Sequence, residues 1–203
     1  MISKAPFLVK KYYSKLHWKI PTEDKTVFLT FDDGPTPGVT EHVLQLLKDH
    51  QAGGSFFCVG KNVEDNYGLY EQILAEGHAV GNHSMNHISG WKVNSQQYYE
   101  DVMLCQKLVD SNLFRPPYGK IKRAQASMLL PNFEIVMWSL LTRDYDLAIS
   151  KEKCMELAVS GLFPGSIIVF HDSKKAESKM LYALEGLLKE MQKKGFTSKK
   201  LEL

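Results

Sequence analysis

Two adjacent acids, Asp32 and Asp33, end an apolar run, Val27-Phe28-Leu29, and Gly34-Pro35 follows at once. Strand interiors rarely end in paired carboxylates, because each costs several kcal/mol to bury without a partner. Packing gives little reason for the pair, so an electropositive group is expected at this strand end, and a divalent metal ion fits. Further along, His83 and His87 stand four apart in His83-Ser84-Met85-Asn86-His87. On a helical turn that spacing projects both rings from one face. Two imidazoles and one carboxylate can hold Zn²⁺ while leaving a position open for water. Such a pair also arises by chance, one ring being an ordinary core histidine. It gains weight from following a strand in a chain that also has an Asp-Asp strand end.

Three further positions could carry chemistry, each beside a plainer reading. Arg115 precedes Pro116-Pro117-Tyr118-Gly119. That stiff turn fixes where the guanidinium points, or else merely carries a surface arginine. Asp144 lies in the stretch from Trp138 to Asp146 and reads as a catalytic acid or as a loop carboxylate capping a helix. His171 ends Ile167-Ile168-Val169-Phe170. A buried structural histidine is the plain reading, and Asp172 beside it argues for an exposed, polar strand end instead.

Positioning these groups falls to alternating strands and helices. Strands are predicted at 26–31, 55–59, 78–80, 113–114, 133–138 and 166–170, with room for an irregular seventh. Helical spacing marks a segment opening at Thr40, a good cap residue, then 63–76, 96–110, 121–130, 151–160 and 176–194. The alternation predicts parallel βαβ units in one α/β domain. Asp32-Asp33, His83-His87, Arg115, Asp144 and His171 all fall just after predicted strands. A β/α barrel gathers such residues at its C-terminal face, whereas an open sheet feeds one switch point from fewer strands. Five contributing strand ends favour a distorted, incomplete barrel of six or seven parallel strands.

Composition narrows the partners. At 203 residues the chain fits one domain with a sizeable core. A formal net charge of +2 gives no footing for nucleic acid. Lys189, Lys193, Lys194, Lys199 and Lys200 read as a solvated helix face and tail. The apolar stretch 5–9 is too short for a signal peptide, and no run approaches a membrane span. On the sequence as given, the expectation is a cytoplasmic protein. Cys58, Cys105 and Cys154 match no zinc spacing and read as buried free thiols. Residues 1–25, with Tyr12, Tyr13 and Trp18, are expected to pack across the outside of the domain.

Taken in order, the segments 30–35, 83–87, 115–119, 138–145 and 169–171 resemble the five motifs of polysaccharide deacetylases, the carbohydrate esterases of family four. The resemblance spans about 26–172. It implies that 26–203 is a catalytic domain with the incomplete barrel fold, holding Zn²⁺, or Co²⁺ or another first-row divalent ion. By matching position it implies Asp33, His83 and His87 as metal ligands and Asp32 as general base oriented by Arg115. His171 would be the general acid, Asp144 its carboxylate partner, and the Tyr118 N–H an oxyanion donor. The implied substrate-binding positions are Tyr118, Trp138, Tyr145 and Val169, and the implied partner is an acetylated carbohydrate.

This sequence departs from the family pattern at Leu141, where an acid is usual, at Tyr145, where tryptophan is usual, and at Val169, where leucine is usual. The expected reaction is removal of N-acetyl groups from a peptidoglycan- or chitin-like glycan. Its rivals are an O-acetyl, xylan-type esterase or small-molecule amidohydrolase on the same site, a non-haem iron oxygenase, and an inactive carbohydrate-binding protein. The oxygenase reading conflicts with the strand–helix alternation. The inactive protein would be expected to lack one of Asp32, His83, His87 or His171, and all four are present.

Overall fold

The computed structural model describes residues 3–203; Met1 and Ile2 of the N-terminal segment lie outside the described residues. Among the described residues there are eight strands: β1 Thr26–Asp32, β2 Gly54–Cys58, β3 Ala79–Asn82, β4 Leu113–Phe114, β5 Glu134–Ile135, β6 Leu140–Leu141, β7 Ile167–His171 and β8 Thr197–Ser198. The helices are α1 Phe7–Tyr12, α2 Thr40–Asp49, α3 Gly60–Asp65, α4 Tyr67–Ala75, α5 Ser95–Gln106, α6 Arg123–Leu129, α7 Lys151–Val159 and α8 Glu177–Lys194.

All strand pairs are parallel, in the order β5-β4-β3-β2-β1-β7-β6, with β8 added beside the start of β1. The sheet curls into the expected incomplete (β/α) barrel. Every residue of β1 is buried, as in strands covered on both faces. Alternation within it is nevertheless strict. Val27, Leu29 and Phe31 belong to the cluster shared with α2, α7 and α8, where Phe31 stacks between Phe56 and Phe170 at 4.8 and 5.9 Å. The intervening Phe28 joins Phe57, Leu113, Val136 and Ile167 in a separate interior cluster.

Closure fails between β5 and β6. The N-terminal segment covers this gap: His17 bridges in parallel to Val136, Ser139 Oγ donates to the Trp18 carbonyl, and Trp18 meets Trp138 edge to face. The strand expected at 133–138 pairs in the sheet only over Glu134–Ile135, because its partner β4 is two residues long before Arg115-Pro116-Pro117 turns away, while His17 bonds its other edge.

Other expectations shift locally. The single helix expected at 63–76 is two, broken at Asn66 (φ −139, ψ 46). The helix expected at 96–110 starts at Ser95, behind a capping box of Asn94 and Gln97, and ends at Gln106. Thr40 does not cap α2; Val39 occupies that position, and the Thr40 hydroxyl turns inward. The tail is not wholly solvated, since β8 pairs with β1 and Leu201 is buried. The three cysteines are free and buried, and burial pushes the Cys105 and Cys154 thiols up to about 12.

Candidate active site

Register places the chemistry. Asp32 and His171 are paired neighbours across β1 and β7, so both emerge at the C-terminal rim. Asp32, Asp33, His83, His87, Arg115, Tyr118, Trp138, Tyr145, Val169 and His171 line one cleft of about 470 Å³, with Leu141 beside them. Asp144 stands behind His171, fully buried.

Neighbours on a regular strand point to opposite faces. The two acids share the cleft because Asp33 leaves the strand conformation, with φ at +86. The turn that continues through Gly34-Pro35 thus begins at Asp33. Gly34 is required for a second reason: a Cβ there would lie 2.0 Å from the Asp172 carboxylate. Asn62 Nδ2 donates to the Asp33 carbonyl at 2.7 Å and fixes the turn from outside.

The two histidines do not lie on a helical turn. Their loop follows β3 irregularly, with positive φ at Ser84 (64°) and His87 (51°). Asp101 of α5 holds it, accepting from the Met85 and Asn86 N–H groups and the Asn86 side chain. The rings still meet, with centroids 5.1 Å apart. Positive φ at non-glycine residues recurs at Tyr118 and Arg143. Such conformations cost about 1–3 kcal/mol each and gather at functional sites.

Asp33, His83 and His87 could hold a metal ion, their ligand atoms all within 4.8 Å of one another. Asp33 Oδ1 lies 3.2 Å from His87 Nε2 and 3.8 Å from His83 Nε2. Tetrahedral zinc, with bonds near 2.0–2.1 Å, needs donors about 3.3 Å apart. His83 Nδ1 lies 2.8 Å from the Arg115 carbonyl. A donated N–H there leaves Nε2 as the free lone pair, the usual way an outer contact sets a ligand tautomer. Burial lowers His83 to about 4, keeping it neutral. Burial would raise Asp33, but the His87 hydrogen bond and then the His171 charge outweigh it and hold the carboxyl below its usual range. The donor set and its spacing fit a divalent ion.

Asp32 is tied elsewhere. Arg115, 1% exposed, donates from one terminal nitrogen to Asp32 Oδ1 at 2.6 Å and to Thr30 Oγ1 at 2.8 Å. Its other nitrogens reach the Val136 and Met137 carbonyls, and its plane lies 4.0 Å from the Phe57 ring centre. The surface-arginine reading is excluded by this burial.

On the neighbouring strand end, Asp144 accepts from the His171 backbone at 2.7 Å and lies 2.8 Å from His171 Nδ1. Burial would lower His171, but the Asp144 charge and hydrogen bond, with Asp33 and Asp32, raise it to about 9. Tyr145 packs edge-on against the His171 ring at 4.8 Å. The Trp138 indole N–H is unpaired among the described residues.

Asp172 is not the exposed strand end that its charge suggests. It is fully buried, accepting from the Gly34 N–H at 3.0 Å and the Thr40 hydroxyl at 2.6 Å. Burial pushes it up to about 8, against the pull of those bonds. Sequence reasoning missed this brace, and Asn62 and Asp101 too, because each acts on a loop distant in the chain.

Comparison with known proteins finds relatives of one family. A family model for polysaccharide deacetylase matches residues 19–129. A peptidoglycan-N-acetylglucosamine deacetylase from Bacillus cereus is 33% identical over 186 residues, 88% of this chain and 87% of that one. The crystal structure of the Bc1960 peptidoglycan N-acetylglucosamine deacetylase superposes with a TM-score of 0.88 at 30% identity, covering 97% of this chain and 95% of that one. A CE4 family pseudoenzyme from Bacillus anthracis shares the fold alone, at TM-score 0.80 and 19% identity, over 91% of this chain and 66% of that one.

Proposed function

The chain belongs to the polysaccharide deacetylase family, and on that footing we propose that its cleft hydrolyses the acetamide of an N-acetylated amino-sugar polymer or oligomer. One observation carries the reading: an Asp33–His83–His87 triad and His171, backed by Asp144, come together at one cleft, with Asp32 held there by Arg115. The shared fold of a pseudoenzyme means that fold alone makes no catalyst. The intact set of groups is the argument.

Asp33, His83 and His87 would hold the ion, Zn²⁺ by its preference for nitrogen and oxygen donors in tetrahedral sites, with Co²⁺ or another first-row ion as substitutes. When bound, such an ion supplies Lewis acidity that polarises a carbonyl and lowers the pKa of water from 15.7 to about 7.

The remaining work belongs to the side chains. Asp32 gives one oxygen to Arg115 and keeps the other to take a proton from the attacking water. The Tyr118 N–H, paired with no acceptor among the described residues, is available to the oxyanion; such a donor is worth about 3–4 kcal/mol. His171, raised to about 9, is charged at neutral pH, and Asp144 on Nδ1 leaves Nε2–H to face the cleft. That proton goes to the departing nitrogen as the C–N bond breaks. Water supplies the acetate oxygen, and the products are acetate and a free amine. Leu141, Tyr145 and Val169 line the cleft and would surround the acetyl group.

The test is acetate release from N-acetylglucosamine oligomers, with and without chelator. Asp33→Asn should lose metal, measured by competition with a chromogenic chelator, whereas Asp32→Asn should retain metal and lose turnover. No acetate from any amino-sugar oligomer with metal bound, or equal metal affinity in both variants, would overturn the assignment.

A further inference from the structure

Helix α1 buries none of its six residues, although Phe7, Leu8, Val9 and Tyr12 make up most of it. Phe7 is 77% exposed, Leu8 75% and Tyr12 58%, and Val9 is exposed too. A helix this short has little stability of its own, and in a globular domain it normally gains stability by burying an apolar face. Here the chain on either side holds it instead. The Leu141 N–H donates to the Ser3 carbonyl at 2.8 Å, the Tyr13 hydroxyl donates to the Ile121 carbonyl at 2.8 Å, and the Trp18 indole N–H donates to the Tyr13 carbonyl at 3.1 Å. Single exposed hydrophobic residues need no explanation, but a contiguous group of them on one tethered helix marks an interaction surface.

Charge indicates what that surface meets. Residues 3–22 contain Lys4, Lys10, Lys11, Lys15 and Lys19 and no acid. Across the Tyr13 hydrogen bond lies a second basic stretch, Lys120, Lys122 and Arg123, with the Arg123 guanidinium 5.5 Å from the Tyr12 ring centre. None of these eight cations stands in an ion pair among the described residues. The chain's formal charge is +2, so they leave −6 for the remainder, and the cationic side is the one that exposes the apolar groups. At 3.6 residues per turn, Phe7, Lys11, Leu8 and Tyr12 fall within one arc of about 140°. Apolar groups interrupted by a long cationic side chain suit the headgroup–acyl boundary of an anionic bilayer, where rings insert and ammonium groups meet lipid phosphates. A soluble polyanion would use the cations and leave Phe7 and Leu8 in water. A second copy of this chain would bring like charges together.

We propose that α1 and its flanking lysines dock the protein on an anionic lipid surface. Leu141, bonded to Ser3, and Lys120 both line the cleft, so docking through this face holds the cleft mouth beside the membrane. The docking surface stands independently of the deacetylase reading.

The probes are vesicles of phosphatidylcholine alone and of phosphatidylcholine mixed with an equal part of phosphatidylglycerol, with the whole protein followed by cosedimentation. The anionic vesicles should bind it and the neutral ones should bind it far less. Raising salt from about 0.1 M to about 1 M, which shortens the screening length from about 10 Å to about 3 Å, should weaken binding at least tenfold. Lys4→Gln, Lys11→Gln and Lys15→Gln combined should lower the partition coefficient about 100-fold, each lysine near such a surface being worth about fivefold. Phe7→Ser with Leu8→Ser should lower it at least tenfold. Both variants should keep the wild-type circular dichroism and urea midpoint, because α1 buries no side chain. No binding to anionic vesicles at low salt, or equal binding to both kinds, would overturn the proposal. So would binding that the lysine variant abolishes and the serine variant keeps, which would make the patch a site for soluble polyanions. Self-association in sedimentation equilibrium that the serine variant removes would assign the face to a second copy and overturn it too.

Discussion

Replacing Asp144 by Asn isolates what the buried carboxylate does for His171. The side chain is isosteric and its oxygen can still accept at His171 Nδ1, so the charge goes, along with the bond that the other oxygen accepts from the His171 N–H. His171 stands at about 9 against an ordinary 6.5, a difference of about 3 kcal/mol in favour of the imidazolium. Burial alone pulls the other way, and Asp144 is the largest of the groups that overcome it. Without it the histidine should fall to about 6.5 or below. At pH 8 the protonated fraction would drop from about nine-tenths to about one-thirtieth, a loss of about 30-fold in the acid form.

The assay is the pH profile of kcat/KM on an N-acetylglucosamine oligomer, whose alkaline limb reports the essential acid of the free enzyme. Wild type should decline near pH 9 and Asp144→Asn more than two pH units earlier. An activated acetyl ester, with a leaving group that needs no proton, should lose far less. Stability follows the same linkage. A histidine raised in the folded state contributes below its unfolded pKa of about 6.5, and that contribution fades as pH rises through about 9. The variant's deficit in urea unfolding should therefore be full near pH 6 and much reduced near pH 10. An alkaline limb that stays in place in Asp144→Asn, with amide and ester affected alike, would refute the acid role.

Two further outcomes test the supports of the site. Arg115→Met leaves Asp32, 5% exposed, without its partner and strips Thr30 and two carbonyls of a donor; urea unfolding should show a loss of about 3–5 kcal/mol, and a loss below about 1 would mean that solvent reaches the acid. Asp101→Ala frees the loop between His83 and His87 without touching either ring, so chelator competition should find metal affinity lowered about 10–100-fold, and unchanged affinity would show that the loop holds itself.

Much of the site was legible because its residues sit at strand ends, and strand ends can be read from local pattern. Asp32-Asp33 betrayed themselves by closing an apolar strand, and Arg115 by the prolines behind it. The β/α alternation followed from apolar periodicity that each segment carries alone. What stayed hidden was non-local. The split of α3 from α4, the two-residue strands β6 and β8, and the shortening of β5 to the length of β4 all depend on which backbone lies alongside.

The sequence by itself determined which groups could hold an ion and move protons, because those roles need particular side-chain types. Tertiary structure decided how they are placed. Asp33 turns into the cleft only through a left-handed backbone held by Asn62, and His83 and His87 converge from an irregular loop tied to Asp101, not from a helical turn. Asp172 looks solvated in the chain, yet it is sealed beneath Gly34 by Thr40. Burial sets each of these outcomes, since it fixes the dielectric around a charge and the donors within reach, and no residue's neighbours in sequence can reveal it.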